Sequence, residues 1–224
     1  MRRFIKLSGA ATLVAGSYAV RRLDEVRRAG DVLSVERFRD AGSALSEEGL
    51  VVVRGCIDRD HLGRIFATEA YQSMPSSAAE PASEEWRLSA FGRYHRVCFS
   101  ASDAIALSAV EEGFRPMVTQ FFGAAVEGVY RSELQLLTAT PASSNQQWHS
   151  DNRQRGLTVV VPLTDFTPAN GATQLLPFSH VGAWWRMLQH GGAQAVQAPV
   201  GSVVAYECAA RRTNCAGLAL LPFF

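Results

Sequence analysis

The sequence has little net charge, few cysteines and no long apolar run. Its 22 Lys and Arg residues are balanced by 21 Asp and Glu residues, so the net charge is +1. The chain therefore lacks the excess of positive charge that is typical of proteins that bind nucleic acid. The four cysteines are irregularly spaced, which excludes a disulfide framework and a paired CxxC zinc pattern. No apolar run reaches the roughly 18 residues of a membrane-spanning helix. With 224 residues, 47% of them hydrophobic, the chain is expected to form one globular core.

The first thirty residues differ in composition from the rest. Met1 to Leu23 contains no Asp or Glu, and a 14-residue apolar and small-residue run, Leu7 to Val20, lies between basic residues. This build is typical of a cleavable export signal and fits an organelle transit peptide about as well, while an N-terminal amphipathic helix is the simpler alternative. We predict a targeting or signal-like segment over residues 1–30, for export or an organelle rather than the plain cytoplasm, and one domain over residues 31–224.

The remaining pattern places helices first and short strands after them. The predicted helices are 34–48 with Ser34 as N-cap and Gly49 as its stop, one capped by Asp58, 104–114, and a short one starting at Pro116 and ending near Gly123. The predicted strands are 50–53, 129–138, 157–163, 173–176 and 202–206, separated by Pro- and Gly-containing turns. This order indicates an α+β domain, mainly β, built on a β-sandwich or barrel.

Candidate chemistry lies in the tetrapeptide Trp148-His149-Ser150-Asp151. In an extended segment the side chains at positions i and i+2 project from one face, so His149 and Asp151 can bind one ion together. An imidazole and a carboxylate are two thirds of the facial triad that holds Fe(II) in non-haem oxygenases. The alternative is a structural pair, a histidine satisfied in a turn and an Asx-type cap.

The surrounding motifs resemble those of the phytanoyl-CoA dioxygenase family, including its ectoine hydroxylase branch. The resemblance covers roughly residues 31–208 and is most specific in 145–180. It is carried by the HxD pair, a strand ending in Leu163-Thr164-Asp165, the turn Thr167-Pro168-Ala169-Asn170-Gly171, the run Leu175-Leu176-Pro177-Phe178-Ser179-His180 (Phe178 replaces the usual Gly), the early strand Gly49 to Gly55 and the segment Tyr130 to Gln135.

Membership in this family would imply a double-stranded β-helix, the cupin-like jelly-roll barrel, with N-terminal helices packed on one sheet. It would also imply Fe(II)- and 2-oxoglutarate-dependent hydroxylation of a small or lipid-like substrate. By position, His149 and Asp151 correspond to metal ligands and Gln135 to a side chain that points at 2-oxoglutarate, although Gln135 fits an ordinary outward-facing strand residue equally well. His180 corresponds to a structural histidine.

The resemblance ends where the third iron ligand is expected. Gly201 to Glu207 matches the family strand that precedes this histidine, but the ligand position then falls at or beside Arg212, and no histidine follows His190. The Arg that pairs with 2-oxoglutarate is missing as well. An always-charged guanidinium would repel Fe(II).

Three explanations remain open at this stage. The tail from about Ala209 is a truncated or misread end of a longer enzyme, which would make the domain incomplete at its C-terminal end. Alternatively, the chain is a catalytically silent relative that serves as a binding module. Finally, Glu207 or Cys208 completes a different metal site.

Overall fold

The computed structural model describes eleven stretches of the chain, and these exclude the predicted targeting segment, residues 1–30. None of the helices in these stretches combines the length and the apolar character needed to cross a membrane. The described residues are 34–35, 38–75, 86–89, 91–97, 101–131, 133–139, 143–152, 154–170, 172–181, 193–213 and 219–223.

In the described stretches, four α-helices precede most of the strands, as the sequence predicts. They are α1 (Phe38–Glu48), α2 (Arg59–Phe66), α3 (Glu69–Gln72) and α4 (Ala101–Phe122), and single 3-10 turns follow at Gly123–Gly128, Pro168–Asn170 and Ser179–Val181. Asp58 caps α2 as expected, because its Oδ1 accepts the His61 amide N–H at 2.7 Å.

Two helix boundaries differ from the sequence prediction. Ser34 is not an N-cap, since it lies in a two-residue strand whose parallel pairing sets it beside Val52. Pro116 does not begin a new helix but lies inside α4. A proline removes one helical hydrogen bond, and the flanking side chains of Phe114 and Met117 are almost fully buried in the helix-covered core, which holds the helix in one piece.

Within the described residues, eleven strands form two sheets. The larger sheet has the order β1-β2-β9-β6-β11-β5-β4-β3 and the smaller one the order β10-β7-β8. All pairings except β1 with β2 are antiparallel. The strands are β1 (Ser34–Val35), β2 (Leu50–Val53), β3 (Arg87–Leu88), β4 (Arg93–Val97), β5 (Glu133–Ala139), β6 (Leu157–Pro162), β7 (Gln174–Leu176), β8 (Gln194–Ala195), β9 (Val203–Glu207), β10 (Arg211–Thr213) and β11 (Ala219–Phe223).

The two faces of the larger sheet bury two separate cores. Alternate residues of a strand point to opposite faces, so on β2, β6 and β9 odd-numbered residues such as Val159 and Val203 pack under the helices, with Leu45 and Phe114. Even-numbered residues face the smaller sheet, where they pack with Phe166, Leu175 and Val196; they are Leu50, Val52, Val160, Val204 and Tyr206. This is the predicted jelly-roll barrel with its N-terminal helices packed on one sheet.

The turn after β7 ties the barrel to the end of α1. Phe178 has a φ of 62°, a left-handed conformation that favours glycine, and it is the residue that replaces the family's usual glycine. Its N–H donates to the Glu48 carbonyl at 2.7 Å, and its side chain is 3% exposed. Burial of the ring therefore offsets a backbone cost of about 1–2 kcal/mol. Gly49, which ends α1 as predicted, has a φ of +80°, and a Cβ there would lie 2.2 Å from His180 Nδ1.

Candidate metal centre

The HxD segment meets β10 at one backbone bridge. The His149 N–H donates to the Arg212 carbonyl at 3.0 Å, and the Arg212 N–H donates back to the His149 carbonyl at 2.9 Å. Because the two residues exchange both hydrogen bonds, they lie directly opposite each other. Arg212 therefore lies opposite His149, at the position where the family resemblance predicts the third iron ligand.

The Asp151 carboxylate is held by donors at both oxygens. Oδ1 accepts hydrogen bonds from the Nε of Arg212 at 2.8 Å and from its Nη2 at 2.6 Å. Oδ2 accepts a hydrogen bond from the Thr158 hydroxyl at 2.8 Å. The side chains of Asp151 and Arg212 are each only 7% exposed. This is a buried, charge-assisted ion pair rather than a surface contact.

His149 lies beside the same carboxylate oxygen. Its Nε2 is 3.7 Å from Asp151 Oδ1, and its Nδ1 is 2.7 Å from the Gln147 carbonyl oxygen. A carbonyl accepts but cannot donate, so Nδ1 carries a proton, and in the neutral form of the ring the lone pair is on Nε2. The structure thus brings the two predicted ligands together, with the imidazole in the tautomer that binds a metal through Nε2.

The electrostatics of the site depend on the Arg212 charge. Burial lowers the pKa of Arg212, but the neighbouring Tyr206 and Asp151 outweigh that effect and raise it above its ordinary value. The Arg212 Cζ lies 5.6 Å from the centre of the Tyr206 ring, in cation–π range. Complete burial raises the pKa of Tyr206 well above its ordinary value, so the phenol stays neutral. The guanidinium is the cation that balances Asp151.

These residues do not fit the Fe(II) centre that the family resemblance implies. The oxygen of Asp151 that faces His149 already accepts two N–H groups of a buried cation, and a divalent ion there would lie against a guanidinium that cannot give up its proton. Within the described ranges, no three or more His, Cys, Asp or Glu side chains are grouped so that they could hold a metal. The ligand roles of His149 and Asp151 remain predictions.

Glu207 and Cys208, the alternative third ligands, lie on different sides of the strand. Glu207 Oε2 is 3.9 Å from His180 Nε2, away from the HxD pair. Cys208 Sγ is 3.5 Å from the Thr158 hydroxyl, which separates it from Asp151. Burial raises the pKa of the Cys208 thiol to about 11, so the thiol is protonated at neutral pH.

The other two residues singled out from the sequence lie elsewhere in the fold. Gln135 is half-buried in β5, in register with Val97 of β4 and Leu221 of β11, and its role toward 2-oxoglutarate remains a prediction. His180 Nε2 lies 3.4 Å from the Ser46 carbonyl oxygen. Its ring packs against Gly49, which fits the structural role expected of it.

Sequence reasoning missed Thr158 and Tyr206. They are register partners across β6 and β9 and point to the same face of the sheet as Cys208. Thr158 is the one hydroxyl residue in the otherwise apolar run Leu157–Pro162, and it is fully buried. The position of Thr158 inside an apolar strand could have pointed to a role in the site, because a buried hydroxyl needs a hydrogen-bond partner.

The raised thiol pKa values predict slow alkylation of the native protein. Burial raises the pKa of Cys208 to about 11 and that of Cys56 to about 12. At pH 8 we expect both to react with iodoacetamide at least about 100-fold more slowly in the native than in the urea-unfolded protein, because only the thiolate is the nucleophile. Mass spectrometry of the separate cysteine peptides measures each rate, and equal rates in the two states would contradict the prediction.

The sequence profile of the phytanoyl-CoA dioxygenase (PhyH) family matches residues 45–209, well over half of the chain. The chain belongs to this family. Membership places it among oxygenase-type proteins and leaves the substrate unspecified. No protein of curated function matches the chain at a significant level.

Solved structures of low sequence identity share the fold. The non-heme alpha ketoglutarate dependent epimerase SnoN from nogalamycin biosynthesis is 15% identical, with a TM-score of 0.65 over 83% of this chain and 81% of its own. The carbocyclase SnoK of the same biosynthesis is 14% identical, with a TM-score of 0.61 over 83% and 82%. EctD from S. alaskensis is 17% identical, with a TM-score of 0.57 over 83% and 75%. A SnoN structure contains Fe3+ and alpha ketoglutarate.

Proposed function

We propose that this chain is a catalytically silent member of the phytanoyl-CoA dioxygenase family that uses the barrel as a binding module. The observation that carries the proposal is the buried pair between Arg212 and Asp151, with 2.6 and 2.8 Å contacts to one carboxylate oxygen. A facial triad needs a third neutral or anionic ligand and open coordination positions. Here a fixed cation takes the place of that ligand, so the part of the chain that the structure describes does not supply a complete facial triad.

A second candidate is the family reaction itself, Fe(II)- and 2-oxoglutarate-dependent hydroxylation of a small or lipid-like substrate. One observation favours it: the His149 Nδ1 faces the Gln147 carbonyl oxygen at 2.7 Å, so Nε2, which lies 3.7 Å from Asp151 Oδ1, is the ring nitrogen on the side of the carboxylate. In this case His149 and Asp151 would hold the iron, which would activate O2, and Gln135 would contact 2-oxoglutarate. The candidate requires the Arg212 side chain to leave Asp151, which would cost several kcal/mol if the buried carboxylate stayed unpaired.

A succinate assay distinguishes the two candidates. Purified protein is incubated in air with Fe(II), ascorbate and 2-oxoglutarate, and succinate is measured beside an otherwise identical sample without protein. We expect succinate at the level of that blank for the wild type and for His149→Ala alike. Succinate formation by the wild type that disappears in His149→Ala would overturn the binding-module proposal in favour of the oxygenase.

A further inference from the structure

A surface cleft lies beside the HxD segment and outside the metal centre. It has a volume of about 500 Å³, and its walls come from the end of α4, the 3-10 turn that follows, and the loop between the HxD segment and β6. This size is within the range of small-molecule sites. The backbone N–H of Asn152, one of its lining residues, donates to the Cys208 carbonyl at 3.1 Å, which anchors the loop to the end of β9.

The lining combines aromatic surface with one cation. Phe122, Val129 and Tyr130 supply apolar surface, and Tyr130 is 77% exposed, which is unusual for a large aromatic side chain. Asn152 and Gln154 supply amide groups. Among the described lining residues Arg155 is the single charged side chain, so no lining carboxylate balances it.

Arg155 is fixed by its contacts with α4. Its Cζ lies 4.9 Å from the Phe121 ring centre and 5.8 Å from that of Phe122, and its Nη2 donates to the Phe121 carbonyl at 2.7 Å. Stacking and one hydrogen bond orient the guanidinium but engage only part of its donors. A second, smaller cavity of about 290 Å³ is lined by Glu111, Arg115 and Arg131 among others. It differs from the cleft in its charge balance, because its Arg131 pairs with Glu111.

We propose that this cleft binds a small amphipathic anion, whose flat apolar ring packs against Phe122 and Tyr130 and whose carboxylate- or sulfonate-type group binds Arg155. The inference rests on the proposed function and deepens it, because it names the ligand class of the binding module. The metal centre is closed by side chains that are 7% exposed, whereas the cleft is open and offers a guanidinium that no carboxylate among its described lining residues balances. An anionic ring compound is complementary to this cleft, because the guanidinium can bind its charged group and the aromatic surface can pack against its ring.

The test uses two fluorescent probes that share apolar rings and differ in charge. 8-Anilinonaphthalene-1-sulfonate carries the anionic group, and N-phenyl-1-naphthylamine lacks it. We expect saturable binding of the sulfonate to the wild type and about tenfold weaker binding to Arg155→Gln, the loss typical of one hydrogen bond to a charged group. Binding of the uncharged amine should be unchanged in Arg155→Gln, and Tyr130→Ala should weaken both probes.

Arg115→Gln is the matched control, because Arg115 lines the smaller cavity instead. It should bind the sulfonate as tightly as the wild type does. Near-UV circular dichroism and cooperative unfolding of each variant show that the probe does not report a loosened core. Equal sulfonate binding by Arg155→Gln and the wild type, or an equal loss in Arg115→Gln, would overturn the inference. The succinate assay tests the proposed function separately, so either proposal can fail while the other stands.

Discussion

Replacing Arg212 by histidine is expected to turn the closed ion pair into a divalent metal site. The substitution removes the guanidinium that covers Asp151 Oδ1 and places a third ligand directly opposite His149. Three ligands with open positions form the triad that binds Fe(II). At Co(II) concentrations of 100 times the dissociation constant, binding stabilises the folded state by about 2.7 kcal/mol, which for a domain of this size raises the Tm by about 5–10 °C.

The measurement is thermal unfolding of each protein with Co(II) and with EDTA, combined with a visible-absorption titration by Co(II). The wild type should show the same Tm in both conditions and no new absorption band. Arg212→Leu is the matched control, because it removes the cation without adding a ligand, and His149→Ala in the Arg212→His background should abolish the gain. A wild type that binds Co(II) as tightly as Arg212→His would refute the view that the guanidinium blocks the site.

Breaking the buried pair from one side is expected to be strongly destabilising. Arg212→Met removes the cation and leaves the Asp151 carboxylate buried, with a hydrogen bond from the Thr158 hydroxyl and no cation beside it among the described residues. An uncompensated buried charge costs about 3–5 kcal/mol. Asp151→Leu should have a similar effect, because it leaves the buried guanidinium without its carboxylate partner.

The double variant Asp151→Leu with Arg212→Met tests the origin of that loss. Both charges are then gone, so we expect it to be more stable than either single variant, because a buried pair contributes little beyond its own desolvation cost. Urea unfolding gives the three free energies, and Arg59→Met, at an exposed position of α2, is the control. Single losses below about 1 kcal/mol, typical of a surface salt bridge, would contradict the burial argument.

The parts of the fold set by local patterns were predictable from the sequence. Leu50–Val53 is a continuous β-branched and apolar run and forms a fully buried strand, and Asp58 caps its helix as its position before α2 indicates. The prediction of Ser34 as an N-cap was wrong, because its pairing with Val52, 18 positions further along the chain, places it in a strand. The prediction that Pro116 begins a new helix was wrong, because the burial of α4 side chains outweighs the one helical hydrogen bond that proline removes.

The candidate site was predictable in its composition and not in its contacts. The family resemblance put His149, Asp151 and a third-ligand position at or beside Arg212 in one site, and the structure brings these three residues together. That the guanidinium turns toward Asp151 instead of solvent depends on Tyr206 and Thr158, which come from two other strands. No local pattern encodes a contact across four segments of chain.

The pairing of β2 with β9 has a consequence for how the chain folds during synthesis. Val51 of β2 lies beside Ala205 of β9, about 150 residues later in the sequence. At about 5–20 residues per second, the ribosome needs about 8–30 seconds to deliver that partner. Until then a strand of four apolar residues has an unsatisfied edge and no core to enter, which is the situation that favours aggregation or chaperone capture. The pair of Asp151 with Arg212 forms later still, because Arg212 follows β9. The loop of the proposed binding cleft also depends on this part of the chain, because the Asn152 N–H donates to the Cys208 carbonyl just after β9.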